Sequence, residues 1–328
     1  NVARNLSGLG ATTHFIAVVG NDGAGKDITK LIGKISDTEP NLITDRTRRT
    51  SIKTRYIASG QQMMRADDET VGAIEGHTKE RVITLAKSAL KDCSAMVLAD
   101  YAKGVLTPEI IEELIGLAHA AKVPVVIDPQ GLDYSRYDGA DLITPNRKEL
   151  SDATALPANS DDEIIAAARQ LISDHNIKSV LATRSGDGMS LIDAKEFNNF
   201  KAEAREVFDV SGAGDTVAAT IAACLAAGVD LSEAVQLANI TAGIVVAKVG
   251  TAVAYSSDII EALHRQEFST GEAKVLSLNS ALDRTDMWRS KDQKIGFTSG
   301  CFDLLHPGHI STIAKAKAAC DKLIIGLN

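Results

Sequence analysis

Between residues 78 and 144 the chain alternates short apolar runs with segments of helical period, and this alternation restricts the fold more than any other feature. Val82, Leu85, Ala86 and Ala89 recur at helix spacing, and residues 95–99 (AMVLA) form a continuous apolar run. Thr107-Pro108 opens the next helical segment, with Thr as N-cap and Pro at the first helical position, followed by Ile110, Ile111, Leu114, Ile115 and Ala118 in period. Residues 123–127 (VPVVI) and 141–144 (DLIT) read as further strands. Apolar strands joined by helices predict an α/β fold whose mainly parallel sheet is covered on both faces. Ligands on such a sheet gather at the carboxyl ends of the strands. Asp100, Asp128 and Asn146 fall there.

The pattern continues on both sides. Residues 14–19 (HFIAVV) run into the turn GNDGAG and an amphipathic segment over 26–36. The glycines at 20, 23 and 25 do not have dinucleotide-binding GxGxxG spacing, which favours a plain strand-to-helix turn. Residues 179–183 (SVLAT) precede the glycine turn RSGDG, which suits either a nucleotide lying against backbone or an ordinary hairpin. Ala-rich helices are predicted over 216–227 and 231–248, and a last one over 256–266. Residues 50–57 and 61–66 read as a hairpin turning at Ser59-Gly60. Arg46, Arg48, Arg49, Lys53, Arg55 and Arg65 make it basic within a chain of net charge −8. Two readings stand: a solvated face, or a lid whose cations meet an anionic substrate.

Chemistry concentrates at residues 207–216, VFDVSGAGDT. A strand-like apolar run is expected before Asp209. Gly212, Ala213 and Gly214 then leave backbone N–H groups free to face an anion, and a helix beginning there adds the positive end of its dipole. Asp215 sits beside that phosphate position, where a base for a phosphate-accepting hydroxyl is needed. The pattern points to a phosphotransferase. Asn146 and Glu149, in PNRKE at the end of a strand, form either a capping box or part of a magnesium and phosphate site.

A second unit is expected after a linker over 267–293, since 328 residues exceed what one core usually holds. It starts with a strand (294–298, KIGFT), the turn SGCFDLLHPGH, a helix to about residue 319 and a strand over 322–327. His306 and His309 at that helix start suit stabilisation of nucleotide phosphates. Zinc would need two further ligands, which are not evident nearby. The acidic balance argues against nucleic acid as partner, and no apolar run reaches the ~20 residues that span a bilayer. Cys93, Cys224, Cys301 and Cys320 lack disulfide or CxxC spacing, so reduced thiols and a cytoplasmic location are expected. Asn1 in place of an initiator Met, and Asn328 directly after an apolar run, give the expectation that the chain is a piece of a longer protein.

DVSGAGDT, with PNRKE, TRSGDG and NITAGIVVAKVGT, resembles the ribokinase-like (PfkB) carbohydrate kinases, and GCFDLLHPGH resembles the HxGH nucleotidyltransferases. The two in this order, with DYAKGVL and QQMMRAD, are similar to the bifunctional heptose 7-phosphate kinase/heptose 1-phosphate adenylyltransferases of lipopolysaccharide-core precursor synthesis. The resemblance implies a ribokinase-like three-layer sandwich with a small hairpin lid over 1–266, its first strand missing. The start of a nucleotidyltransferase domain follows over 294–328, too short for the second activity. It implies ATP and Mg2+, with Asp215 as base and Gly212, Ala213 and Gly214 as anion hole. Asn146, Arg147, Lys148 and Glu149 would serve ATP and magnesium, Ser185, Gly186, Gly188 and Asn239 the base and ribose. Arg55, Arg65, Asp100 and Lys103 would meet the sugar phosphate, and Cys301, Phe302, His306 and His309 the second nucleotide. A homodimer is implied as well. Another sugar or sugar-phosphate kinase, or a non-catalytic scaffold that dimerises through the hairpin, remains open as an alternative.

Overall fold

The computed structural model describes residues 1–58, 61–203, 207–269, 276–301 and 306–327. They divide into two compact units, 1–262 and 263–328.

The first unit begins with helix α1 (Val2–Gly8), then β1 (Thr13–Gly20), α2 (Gly23–Ile32) and β2 (Thr38–Asp45). β1 and β2 pair in parallel as a two-stranded sheet, from Thr13↔Thr38 to Gly20↔Asp45. β3 (Ile52–Ala58) and β4 (Gln61–Asp68) form the expected antiparallel hairpin, with a bulge between Tyr56 and Ile57. Its turn, Ser59-Gly60, lies outside the described residues. The main sheet is built from β5 (Met96–Ala99), β6 (Val125–Asp128), β7 (Leu142–Ile143), β8 (Ser179–Thr183), β9 (Met189–Asp193) and β10 (Phe197–Phe200). Its spatial order is β10-β9-β8-β7-β6-β5. β5 to β8 are parallel and β9 and β10 antiparallel.

Alternate side chains of these strands enter two separate cores, which is what parallel strands buried on both faces require. Val125, Ile127, Ile143 and Val180 join α3 (Gly76–Ala89), α4 (Pro108–Ala120), α5 (Arg147–Thr154) and α6 (Asp161–Asp174) on one face. Val126, Leu142 and Leu181 meet α7 (Ala213–Ala226) and α8 (Leu231–Val246) on the other. The result is three layers, helix–sheet–helix. Caps set the helix starts: Thr107 Oγ1 accepts from Ile110 N, and Ser160 makes a capping box with Glu163. Ile110 and Ile111 of α4 are fully buried, worth about 1.5–3 kcal/mol each. α9 (Ser256–Ser269) ends the first unit's helices and crosses the division at residue 262.

Two expectations are corrected. Among the described residues no strand runs into Asp209: Val207, Phe208 and Val210 are all exposed, so their apolar character follows no sheet pairing there. The segment 267–293 is not linker throughout, because α10 (Leu278–Ser290) occupies half of it, capped by Ser277. Its apolar Leu278 and Leu282 are exposed, which is why the segment shows no amphipathic stripe. The second unit continues with β11 (Ile295–Gly300), α11 (Pro307–Ala318) and β12 (Lys322–Leu327), the two strands parallel.

Candidate active site

The carboxyl ends of the parallel strands lie in register, with Ala99 opposite Asp128, Ile127 opposite Ile143, and an isolated bridge joining Asn146 to Thr183. Side chains just beyond these ends therefore share one rim. α7 meets the same rim with its N-terminus. Gly212, its N-cap, has φ +82°, a left-handed conformation that glycine adopts without strain. Ala213, Gly214 and Asp215 form the first turn, and the N–H groups of Gly214 and Asp215 have no partner among the described residues. Asp209 braces the approach by accepting from Ser211 N (2.9 Å) and Gly250 N (3.1 Å). The two Ser211 hydrogen bonds hold its carboxyl below the usual range, and the Arg55 guanidinium of the hairpin adds a smaller pull. The helix starts where two free donors and a carboxylate face one space.

Asp128, at the end of β6, lies mostly out of water and near Asp215, Glu149 and Asp100. Burial first, then the charges of Asp215 and Glu149, push its carboxyl up to about 7, against a long hydrogen bond from Thr144. Negative charge thus gathers at a partly dry rim, where a cation would lower its cost.

Asn146 and Glu149 form the capping box: Asn146 Oδ1 accepts from Glu149 N and Glu149 Oε2 from Asn146 N, each at 2.9 Å. The cap occupies one oxygen of each side chain. Glu149 Oε1 has no partner among the described residues. No group of three or more His, Cys, Asp or Glu able to hold a metal occurs among the described residues. The donors therefore suit a magnesium ion carried mainly by phosphates and water, with one carboxylate in support.

Arg147 pairs with Asp187 at 2.6 Å, tying the start of α5 to the 3₁₀ turn Ser185–Asp187. Gly188, at φ +94°, leaves so little room that a Cβ would lie 1.9 Å from Phe200 O, whereas one on Gly186 would meet open space. Lys148 turns back along α5 to Asp152. Asn239 is buried in α8 and donates to Lys201 O at 2.6 Å, so its amide anchors the chain after β10.

The four residues expected at the sugar divide. Asp100 is buried and accepts from Tyr137 Oη and Ala102 N, each at 2.8 Å, with Arg136 at 3.4 Å, so it fixes the loop after β5. Lys103 is paired with Glu69, and Arg65 with Asp67. Arg55 is exposed and sits directly across from Arg65. The hairpin is thus less basic than its sequence: Arg49 pairs with Asp68, and Arg48 donates to backbone carbonyls.

Among residues that sequence reasoning left out, Tyr101 donates from Oη to Asp215 Oδ1 at 2.9 Å. Its position one residue past Asp100, in DYAKG, was the available signal; its partner 114 residues away was not. In the second unit the His306 and His309 rings stack with centroids 3.9 Å apart, and His306 Nδ1 accepts from Gly308 N at 3.2 Å. Cys301 is exposed, and Phe302 lies outside the described residues.

Residues 1–258 match the pfkB family carbohydrate kinases, and residues 297–328 the cytidylyltransferase-like family. Over its whole length the chain is 51% identical to bifunctional protein HldE of Paramagnetospirillum magneticum and 47% identical to that of Rhodospirillum rubrum, covering 67% and 66% of those proteins. It therefore spans about two thirds of their length. Ribokinase of Arabidopsis thaliana, complexed with ribose and ATP, superposes with a TM-score of 0.65 at 19% identity, covering 80% of this chain and 86% of that one. Phosphofructokinase-2 of Escherichia coli gives 0.65 at 19%, covering 79% and 84%. At that identity these two establish a ribokinase-like fold. With the family match over residues 1–258, the identity to HldE proteins, and Asp215 beside free N–H groups on α7, the chain belongs to the pfkB family of carbohydrate kinases.

Proposed function

We propose that this chain phosphorylates D-glycero-D-manno-heptose 7-phosphate at its anomeric hydroxyl, with ATP as donor, giving the 1,7-bisphosphate. The observation that carries the reading is the start of α7, where Asp215 stands in the same turn as the unpaired N–H groups of Gly214 and Asp215. Asp215 accepts the hydroxyl proton as the oxygen attacks the γ-phosphorus. The N–H groups and the helix dipole offset the charge on the transferring phosphoryl group in a loose transition state. Glu149, through its free oxygen, and Asn146 would hold Mg2+ by way of water and phosphate, and the ion would supply charge neutralisation on the nucleotide. The turn over 185–188, tied to α5 by Arg147–Asp187, borders the space for the adenine and ribose. Arg55, an exposed guanidinium on β3 without an ion-pair partner among the described residues, is the group for the 7-phosphate.

The similarity to bifunctional HldE proteins and the cytidylyltransferase-like match support the second unit as the beginning of an adenylyltransferase for heptose 1-phosphate, in ADP-heptose synthesis for lipopolysaccharide core. Cys93, Cys224 and Cys320, none of them in a disulfide, and the lack of any helix long and apolar enough to cross a membrane among the described residues, fit a cytoplasmic location. Ile52, Tyr56 and Met64 share one exposed hairpin face and suit a homodimer.

The test is phosphoryl transfer from Mg-ATP across heptose 7-phosphate, unphosphorylated heptose, ribose and fructose 1-phosphate. Heptose 7-phosphate is expected to have the highest kcat/KM. Activity on ribose without activity on heptose 7-phosphate overturns the substrate.

A further inference from the structure

A carboxylate base works only if one oxygen points at the proton it takes. The torsion that turns an Asp carboxyl is broad and roughly two-fold, so something must hold it. Asp215 sits on a well-packed helix, but half-buried in α7's first turn, one residue ahead of its buried run. The hydrogen bond that orients its carboxyl comes from Tyr101 Oη to Oδ1. Oδ2 has no partner among the described residues and remains for the acceptor hydroxyl. We propose that Tyr101 is the positioning residue for Asp215, and that the root of the β3–β4 hairpin holds Tyr101 in place. This rests on the reading of Asp215 as the base.

Tyr101 is half exposed, so packing alone does not fix it. Its loop is fixed instead. Ala102, at φ +53°, donates to Asp100, which is itself held by Tyr137 and Arg136. Lys103 pairs with Glu69 just after β4, and its carbonyl accepts from Arg48 Nη2 at 2.5 Å. The same Arg48 nitrogen donates to Thr70 O at 3.0 Å. Gly104 O accepts from Ile74 N, and Gly104, at φ +81°, lies so close to residue 72 that a Cβ would be 1.9 Å from Gly72 O. Both segments that flank the hairpin, before β3 and after β4, are therefore bonded to the loop that carries Tyr101. Burial, and then the Asp215 charge, push the phenol up, so it stays protonated and donates throughout the working pH range. A shift of the hairpin on sugar binding would reach the base through three residues: Arg48, Lys103 and Tyr101.

The experiment is steady-state kinetics of Tyr101→Phe in the full chain, with Asp215→Asn alongside, using the sugar that the wild-type protein turns over fastest. Failure of the heptose assignment therefore leaves the test intact. Phe keeps the ring and removes only the donor, and an unchanged melting temperature establishes that the fold is intact. We expect kcat to fall about 10- to 100-fold, the scale of a mispositioned reacting group, while the sugar KM stays within about twofold. Arg48→Met is expected to lower kcat in the wild-type background but to add less than about twofold to Tyr101→Phe, since both break one chain of contacts. Wild-type kcat in Tyr101→Phe with an inactive Asp215→Asn overturns the positioning role alone. Wild-type activity in Asp215→Asn overturns the base and the positioning role together. A lower sugar KM with kcat unchanged or raised would mean that the phenol occupies the place of the acceptor hydroxyl, which also overturns the proposal.

Discussion

α7 and α11 are capped and supported differently. Each starts at a glycine-bearing turn and carries a candidate reactive side chain in its first turn, Asp215 in one and His309 in the other. α7 leaves the N–H groups of Gly214 and Asp215 unpaired among the described residues, whereas at the start of α11 His306 accepts from Gly308 N through Nδ1 and from His309 N and Ile310 N through its carbonyl; both starts carry the positive end of a helix dipole. Behind Asp215, Thr216 to Ala222 are buried without interruption between the six-stranded sheet and α8. Behind His309, no described residue of α11 is buried, and the helix rests on a two-stranded sheet. Of the two, only α7 keeps free backbone donors at its start. Its buried flank holds the first turn of α7 more firmly than α11's is held.

The comparison is broken most directly by activity. Asp215→Asn is expected to lower phosphoryl transfer about 10²–10⁴-fold with ATP affinity, by calorimetry, retained. His309→Ala should leave the same rate within about twofold, and a matching loss there would mean that the two helix starts do not act separately. The next largest contrast is in stability. Ile221→Ala, in the dry interior of α7, should cost about 2–5 kcal/mol in urea unfolding. Ile310→Ala on exposed α11 should stay within about 0.5 kcal/mol.

The smallest effect concerns the charge gathered at the rim near Asp215. Asp128 has a folded-state carboxyl near 7 against an unfolded value near 3.8, so the native state binds its proton more tightly. Stability from this group is present below the unfolded value and is lost as pH rises towards 7. Asp128→Asn should therefore flatten the stability profile between about pH 4 and 7. At pH 8, without nucleotide, it should stabilise the protein by about 1–3 kcal/mol, a discounted conversion of the shift. Equal wild-type and variant midpoints at pH 8 would show that the rim is not repulsive.

The sheet was legible in the sequence because its strands are continuous apolar runs and its helices keep period, as α4 does from Ile110 to Ala118. β2 was not: TEPNLITD contains a proline and alternates poorly, as an edge strand of a two-stranded sheet can. α6 carries a readable capping box at Ser160 and Glu163 that had not been used. The GAGD turn and the Asn146–Glu149 pair were legible as local chemistry, though only coordinates show that the pair is already a complete cap. The basic hairpin misled because sequence counts its cations and does not show that Asp67, Asp68 and Glu69 lie within reach of Arg65, Arg49 and Lys103. Tyr101 could not be found by pattern, since its meaning is a contact between distant strand and helix ends.

The Ala-rich faces of α7 and α8 would by themselves permit one helix to slide along the other, because small side chains make shallow ridges. Thr220 and Thr241 oppose this: their hydroxyls meet at 2.9 Å in the buried interface. A slip of one helical turn would break that contact, leaving each hydroxyl only a carbonyl of its own helix, Thr216 O or Ala238 O, and would carry Asp215 about 5.4 Å along the axis. Two interior hydroxyls thus help set the height of Asp215 above the sheet.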